Sequence, residues 1–213
     1  MRTEDLIQQL AADATPVRRL PPVVVRAVGW LVFAALSLAV VMLLMGVRRE
    51  LDGTADRIDF TIEAALLLVT AVSAAIGALL VSIPGADPSG RMRWIPIVLG
   101  VACVALAAGE LVYAAVTGAP TGQLTFAWHC VYKTTSVAIV PGALLFVMMR
   151  RAAPLHAAWA GTLALLATAA IGVLGANIIC PNDRPLHMLL WHVLPLMLFA
   201  GAGAALGRWL LRW

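Results

Sequence analysis

Charge is the scarcest property of this chain: 12% of its 213 residues are Asp, Glu, Lys or Arg, against 62% hydrophobic. A soluble domain carries about 25% charged residues, so this sequence has too few charges to cover a water-facing surface. With a mean hydropathy of +0.94, lipid must be the solvent for most of it. Lysine is nearly absent. Lys133 stands alone, and the arginines gather at the ends of apolar runs, where positive charge sets membrane orientation rather than nucleic-acid affinity. Catalytic assemblies are missing as well: there is no HExxH, no GxSxG and no phosphate loop, so the chain reads as not an enzyme. Cysteine is sparse, with three residues and no paired CxxC motif.

What is present is six apolar runs, near 24–47, 60–83, 94–116, 126–148, 157–179 and 187–208. A helix crossing the hydrocarbon core needs roughly 20 such residues. The first run is too long for a secretory h-region and no small-residue cleavage site follows it, so it reads as a retained span. The expected fold is all-α, a polytopic bundle of six transmembrane helices with a short amphipathic N-terminal helix on the cytoplasmic side. The connections are short, which leaves two units: 1–23, a cytoplasmic N-terminal segment, and 24–213, the six-helix transmembrane bundle. Glycines 172 and 175, and 201, 203 and 207, read as places where spans pack closely.

Orientation follows from the basic residues. Arg2, Arg18, Arg19, Arg26, Arg91, Arg93, Arg150, Arg151, Arg208 and Arg212 fall on one side; Arg48, Arg49, Arg57 and Arg184 fall on the other. The richer side is expected in the cytoplasm, with both termini.

The segment Thr3–Ala14 has the pattern of an amphipathic helix. Thr3 is the expected cap, Glu4 and Asp5 sit in the first turn where carboxylates suit the helix dipole, and Pro16 closes the element. Leu6, Ile7, Leu10, Ala11 and Ala14 form one stripe, with Gln8, Gln9 and Asp13 largely off it. About a dozen residues make a marginal helix in water, so the stripe calls for a partner surface. Its acidic residues argue against a lipid headgroup layer, which favours Lys and Arg.

The run Thr3-Glu4-Asp5-Leu6-Ile7-Gln8-Gln9-Leu10-Ala11-Ala12-Asp13, followed by Pro16-Val17-Arg18-Arg19-Leu20, resembles the N-terminal signature of the negative regulator of sigma F family. Trp128-His129-Cys130, Cys180-Pro181, Leu190-Trp191-His192-Val193, Gly207-Arg208 and Arg212-Trp213 extend the resemblance over the whole chain. It implies a six-span anti-sigma factor of the bacterial inner membrane, with 1–23 as its partner-binding segment and 24–213 as its transmembrane sensor domain. The N-terminal segment, with Leu6, Ile7, Leu10, Ala11 and Asp13, would hold an extracytoplasmic-function sigma factor, and outward-facing cysteines would be needed to release it under stress such as heavy metals. No direct nucleic-acid contact and no resident cofactor are expected.

The polar residues within the spans share one leaflet. Glu63, Glu110, Tyr113, His129, Cys130, Lys133, Cys180, His187 and His192 all belong to the outer third, and such residues usually face inward and pair. Three readings of Cys130 and Cys180 stand side by side: a permanent disulfide staple, a redox or metal switch, and two unconnected thiols. For the switch, His129 and His187 would add imidazole to capture a soft ion transiently. Glu110 and Lys133 are expected to pair. His192 reads as a hydrogen-bonded bundle residue, or with His129 as a haem ligand. Cys103 reads as a small hydrophobe. The competing function is a small proton-coupled transporter using Glu63, Glu110, Lys133 and His192.

Overall fold

The computed structural model describes residues 2–13, 20–48, 54–86 and 90–212, with only the backbone for 54–57. Ala14, Pro16, Arg18, Arg19, Arg49 and Trp213, which entered the readings above, lie outside the described residues. The elements are α1 (Thr3–Ala12), α2 (Val23–Met45), α3 (Thr54–Val81), α4 (Arg91–Thr117), α5 (Trp128–Arg150), α6 (Ala157–Ile179), α7 (Pro185–Met188), a π-helical turn (Leu189–Val193) and α8 (Leu194–Leu210). Six helices are long and apolar enough to cross a membrane: α2, Ile58–Val81 of α3, α4, α5, α6, and the continuous run Pro185–Leu210. The largest displacement from the expected ends is three residues, at Arg91 against 94.

α1 forms as the pattern predicts, but its cap differs. Arg2 occupies the cap position, and its backbone N–H donates to Asp5 Oδ2 at 3.2 Å. Thr3 is instead the first helical residue, because the Asp5 carboxylate reaches back to an orphan donor more readily than the short hydroxyl reaches forward. Every residue from Arg2 to Asp13 is exposed.

The fifth span, α6, is the hub, packing on α8, α3 and α5. Its run of Ala and Gly lets neighbouring backbones approach, as small residues do in membranes. A Cβ built on Gly161 would overlap the Gly203 carbonyl oxygen and lie 2.6 Å from the Gly207 Cα. Gly172 faces the Thr134 carbonyl oxygen in the same way, whereas Gly175 faces the side chains of Leu38 and Val137. Gly201 differs from the expectation: nothing lies within 4 Å of its added Cβ, because two residues from Gly203 it points to the opposite side of α8. Gly161→Val is therefore expected to destabilise the bundle by about 3 kcal/mol or more, since backbone cannot yield as a side chain can. Gly201→Ala should stay within about 0.5 kcal/mol. Thermal unfolding in detergent checks both; equal midpoints would refute the close contact.

Two side chains of α2 donate to backbone carbonyls of α5. Pro141 interrupts the α5 ladder, and its own carbonyl accepts from Trp30 Nε1 at 2.9 Å. This ties α2 to α5 with both polar groups satisfied, as a bilayer demands. About one turn nearer the start of α2, Arg26 Nη2 donates to the Met148 carbonyl at 2.6 Å.

Candidate functional site

At the end of the bundle carrying the connections 118–127 and 180–184, four side chains converge. Each arrives for a local reason. Cys130 sits in the first turn of α5. Cys180 is the residue before Pro181, and a residue in that position is pushed out of the helical region. It takes φ −82° and ψ 126°, ends α6, and is 3% exposed. Pro185 starts the next helix, its missing N–H costing nothing at that position, and His187 follows on the first turn.

His192 is placed by the π-helical turn. In an ideal α-helix, residues five apart are about 140° apart around the axis, so His187 and His192 would diverge. Pro195 can neither donate to the Trp191 carbonyl nor pack against it without a clash. The turn just before it, Leu189–Val193, widens to π-helix, which accommodates one extra residue. The two imidazoles consequently share a face, with ring centroids 5.3 Å apart.

The result is one buried group. Cys130 Sγ lies 3.7 Å from Cys180 Sγ and 3.4 Å from His187 Nε2, and Cys180 Sγ lies 3.5 Å from His187 Nε2. With His192, the four ligating atoms all fall within 4.8 Å of one another. All three cysteines are free thiols. His192 is fully enclosed, and its Nδ1 is 2.7 Å from Asn177 Oδ1. Asn177 Nδ2 in turn donates to Glu63 Oε2 at 3.3 Å. The amide oxygen can only accept, so His192 carries its proton on Nδ1, which leaves Nε2 with the free lone pair. That Nε2 has no hydrogen-bond partner among the described residues.

The connection 180–184 is clasped to its neighbours. Arg48, at the end of the first span, forms an ion pair with Asp183, donates its backbone N–H to the Ile178 carbonyl at 3.1 Å, and lies over the Phe60 ring. On the other flank, Leu186 N–H donates to the Thr121 carbonyl at 3.1 Å.

The remaining sequence candidates fall elsewhere. His129 is exposed and stacks on Trp128, with centroids 3.8 Å apart. It therefore stands outside the thiol group and does not form an axial pair with the enclosed His192. Glu110 lies against Glu63 rather than Lys133. The reason is packing: α4 rests chiefly on α3, whereas α5 rests on α6 and α2, so these consecutive spans are not main neighbours. Lys133 lies near enough for its charge to be felt at Cys130 and His192. Cys103 is buried, with Sγ 3.6 Å from Thr70 Oγ1. Leu6, Ile7, Leu10, Ala11 and Asp13 are exposed on α1. Asn177 is the residue that sequence reasoning missed; its signal was a lone amide in the otherwise apolar fifth run.

Against known proteins, the family model described as "Negative regulator of sigma F" matches residues 10–213. A protein of Azospira oryzae named "Probable anti-sigma-F factor NrsF" is 27% identical over 220 residues, covering 100% of both chains. No solved structure matches.

Proposed function

Since the chain belongs to the negative regulator of sigma F family, we propose that it is a membrane-held anti-sigma factor, regulatory rather than catalytic. In this reading residues 1–23 hold an extracytoplasmic-function sigma factor away from RNA polymerase. Heavy-metal or redox stress acting on periplasm-facing Cys130 and Cys180 then releases it. The observation that carries the reading is a division of labour along the bundle axis. A buried pair of free thiols lies at one end, and a fully exposed amphipathic helix precedes the first span at the other. Further support is the name of the Azospira oryzae relative, which spans the same length.

Cys130 begins α5, and His187 and His192 lie early in the sixth span. A change at the thiols therefore bears on the two helices whose far ends carry Arg150, Arg151 and Arg208. For the signal to cross, those helices need two arrangements whose balance the thiol group shifts. The excess of arginine at that far end orients it, and both termini, toward the cytoplasm.

The test is cross-linked capture from native membranes by the intact protein and by a version lacking residues 1–15. A sigma factor recovered by the first and lost by the second is the expected result. Recovery of the same partners by both, with no sigma factor among them, would sink the reading. For orientation, a reporter fused to the C-terminus should be active only on the cytoplasmic side.

A further inference from the structure

We propose that Cys130, Cys180, His187 and His192 form a tetrahedral two-thiolate, two-imidazole site for a soft or borderline divalent cation of the Zn²⁺ or Cd²⁺ class, with Asn177 and Glu63 as its positioning residues. The first argument is metric. With metal–sulfur bonds near 2.3 Å and metal–nitrogen bonds near 2.05 Å, a tetrahedron has a sulfur–sulfur edge of about 3.8 Å and sulfur–nitrogen edges of about 3.5 Å. The structure holds 3.7 Å between the sulfurs, and 3.4 and 3.5 Å from them to His187 Nε2. The fourth ligand atom, a ring nitrogen of His192, falls in the same 4.8 Å group.

The second argument is independent of those distances. His192 is completely buried, yet Nε2 has no hydrogen-bond partner among the described residues. A buried lone pair with no donor is costly, and a cation would satisfy it. The other ring nitrogen is held by the Asn177 amide, which is itself held by Glu63. Metal-ligating imidazoles have this arrangement: an outer hydrogen bond fixes the tautomer and the ring plane. Here an amide relays a carboxylate to the ring.

Charge and access agree. Binding converts two thiols and one dication into a neutral bis-thiolate complex and releases two protons to water. A neutral complex suits the interior of a membrane bundle better than separate ions would. A cleft lined by Thr121, Gly122, Gln123, Asn182 and Arg184 opens from the surface onto His187, giving an ion a way in. The inference deepens the proposed sensing role and rests on it only for its consequence, that stress acts by exchanging the ion.

The test uses the purified, reduced and metal-stripped full chain in detergent, titrated with Co²⁺ and with Cd²⁺. The expected result is one ion per chain, thiolate-to-metal charge transfer and, for Co²⁺, the ligand-field bands of tetrahedral geometry. Cys103→Ser should change nothing. His187→Ala and His192→Ala, with water taking the vacated position, should each weaken binding and shift the Co²⁺ ligand-field bands, and His187→Cys, which keeps a soft ligand in place, should retain a tetrahedral spectrum even if the alanine variants fold poorly. Asn177→Ala should weaken affinity about 10- to 100-fold while keeping one ion per chain. Affinity and ligand-field bands indifferent to both histidines would overturn the site in favour of capture by thiols alone. Absence of charge transfer from a protein whose two thiols react freely would overturn it too. No sigma factor takes part in the titration, so its failure is distinct from failure of the capture experiment.

Discussion

Replacing Leu6, Ile7 and Leu10 together by Asp is expected to weaken sigma-factor binding by a factor of about 10³ or more, while membrane insertion is unchanged. The three side chains are 41%, 60% and 64% exposed, so a partner can still remove most of their surface from water. A fully buried Leu or Ile contributes about 1.5–3 kcal/mol. Taking the lower value for partly shielded groups gives about 4.5 kcal/mol for three. The ordering of a ten-residue helix opposes this, because such a helix is marginal alone. That cost is present in wild type and variant alike, so it does not reduce the difference. Gln8→Ala and Gln9→Ala lie off the stripe and should bind as wild type or slightly tighter, since Ala favours the helix. Titration of the reconstituted protein with the purified sigma factor decides between them. Equal affinity for the triple variant would place the contact elsewhere on the chain. In cells the triple variant should leave the target promoter on without stress.

The second large effect is on stability. Asn177→Leu should lower the unfolding free energy by about 1–3 kcal/mol. The hydrogen bonds themselves explain little of this, because an interhelical bond in a membrane averages about 0.6 kcal/mol. What dominates is what the substitution leaves behind: a fully buried His192 N–H without its amide partner, while the half-buried Glu63 keeps its hydrogen bond with Glu110. Such a buried orphan costs about 1–3 kcal/mol. His192→Leu combined with Asn177→Leu should therefore be less damaging than Asn177→Leu with His192 retained, since it removes the orphan. Measured in a reversible detergent unfolding assay, a single-variant change below about 0.5 kcal/mol would mean that the relay carries no strain and that water reaches the His192 N–H.

The two effects lie at opposite ends of the molecule, and the sequence disclosed those ends unequally. α1 could be read closely because amphipathy is a property of one short segment and needs no knowledge of neighbours. Only its cap was misassigned, where Arg2 and Asp5 displaced Thr3. In the thiol group, Cys130, Cys180 and His187 were placed in one leaflet by counting residues from span ends. That count measures depth and nothing else. It put His129 and Glu110 at the right height and with the wrong neighbours, because height does not say which way a helix is turned or which helix it faces.

Three particulars show what was missing. His129 and Cys130 are adjacent in sequence, yet one is exposed and the other buried, since neighbours on a helix point about 100° apart. His192 joined the group only because the turn ahead of Pro195 widened, and a π-helical turn leaves no periodic trace in composition. Asn177 became the link between His192 and Glu63 because α6 occupies the centre of the bundle and touches both α3 and the sixth span. Its central position in turn depends on Gly161, Gly203 and Gly207 meeting backbone to backbone.

By itself the sequence determined that the chain is a six-span helical membrane protein with a short amphipathic leader, and how deep each polar residue sits along its span. A bilayer requires every span to satisfy its own backbone and to be about 20 apolar residues long, and both conditions are written locally along the chain. Only the tertiary structure decided which polar residues meet. The rotation of each helix and the choice of its neighbours come from packing among residues far apart in sequence, and here from close backbone contacts that composition does not record.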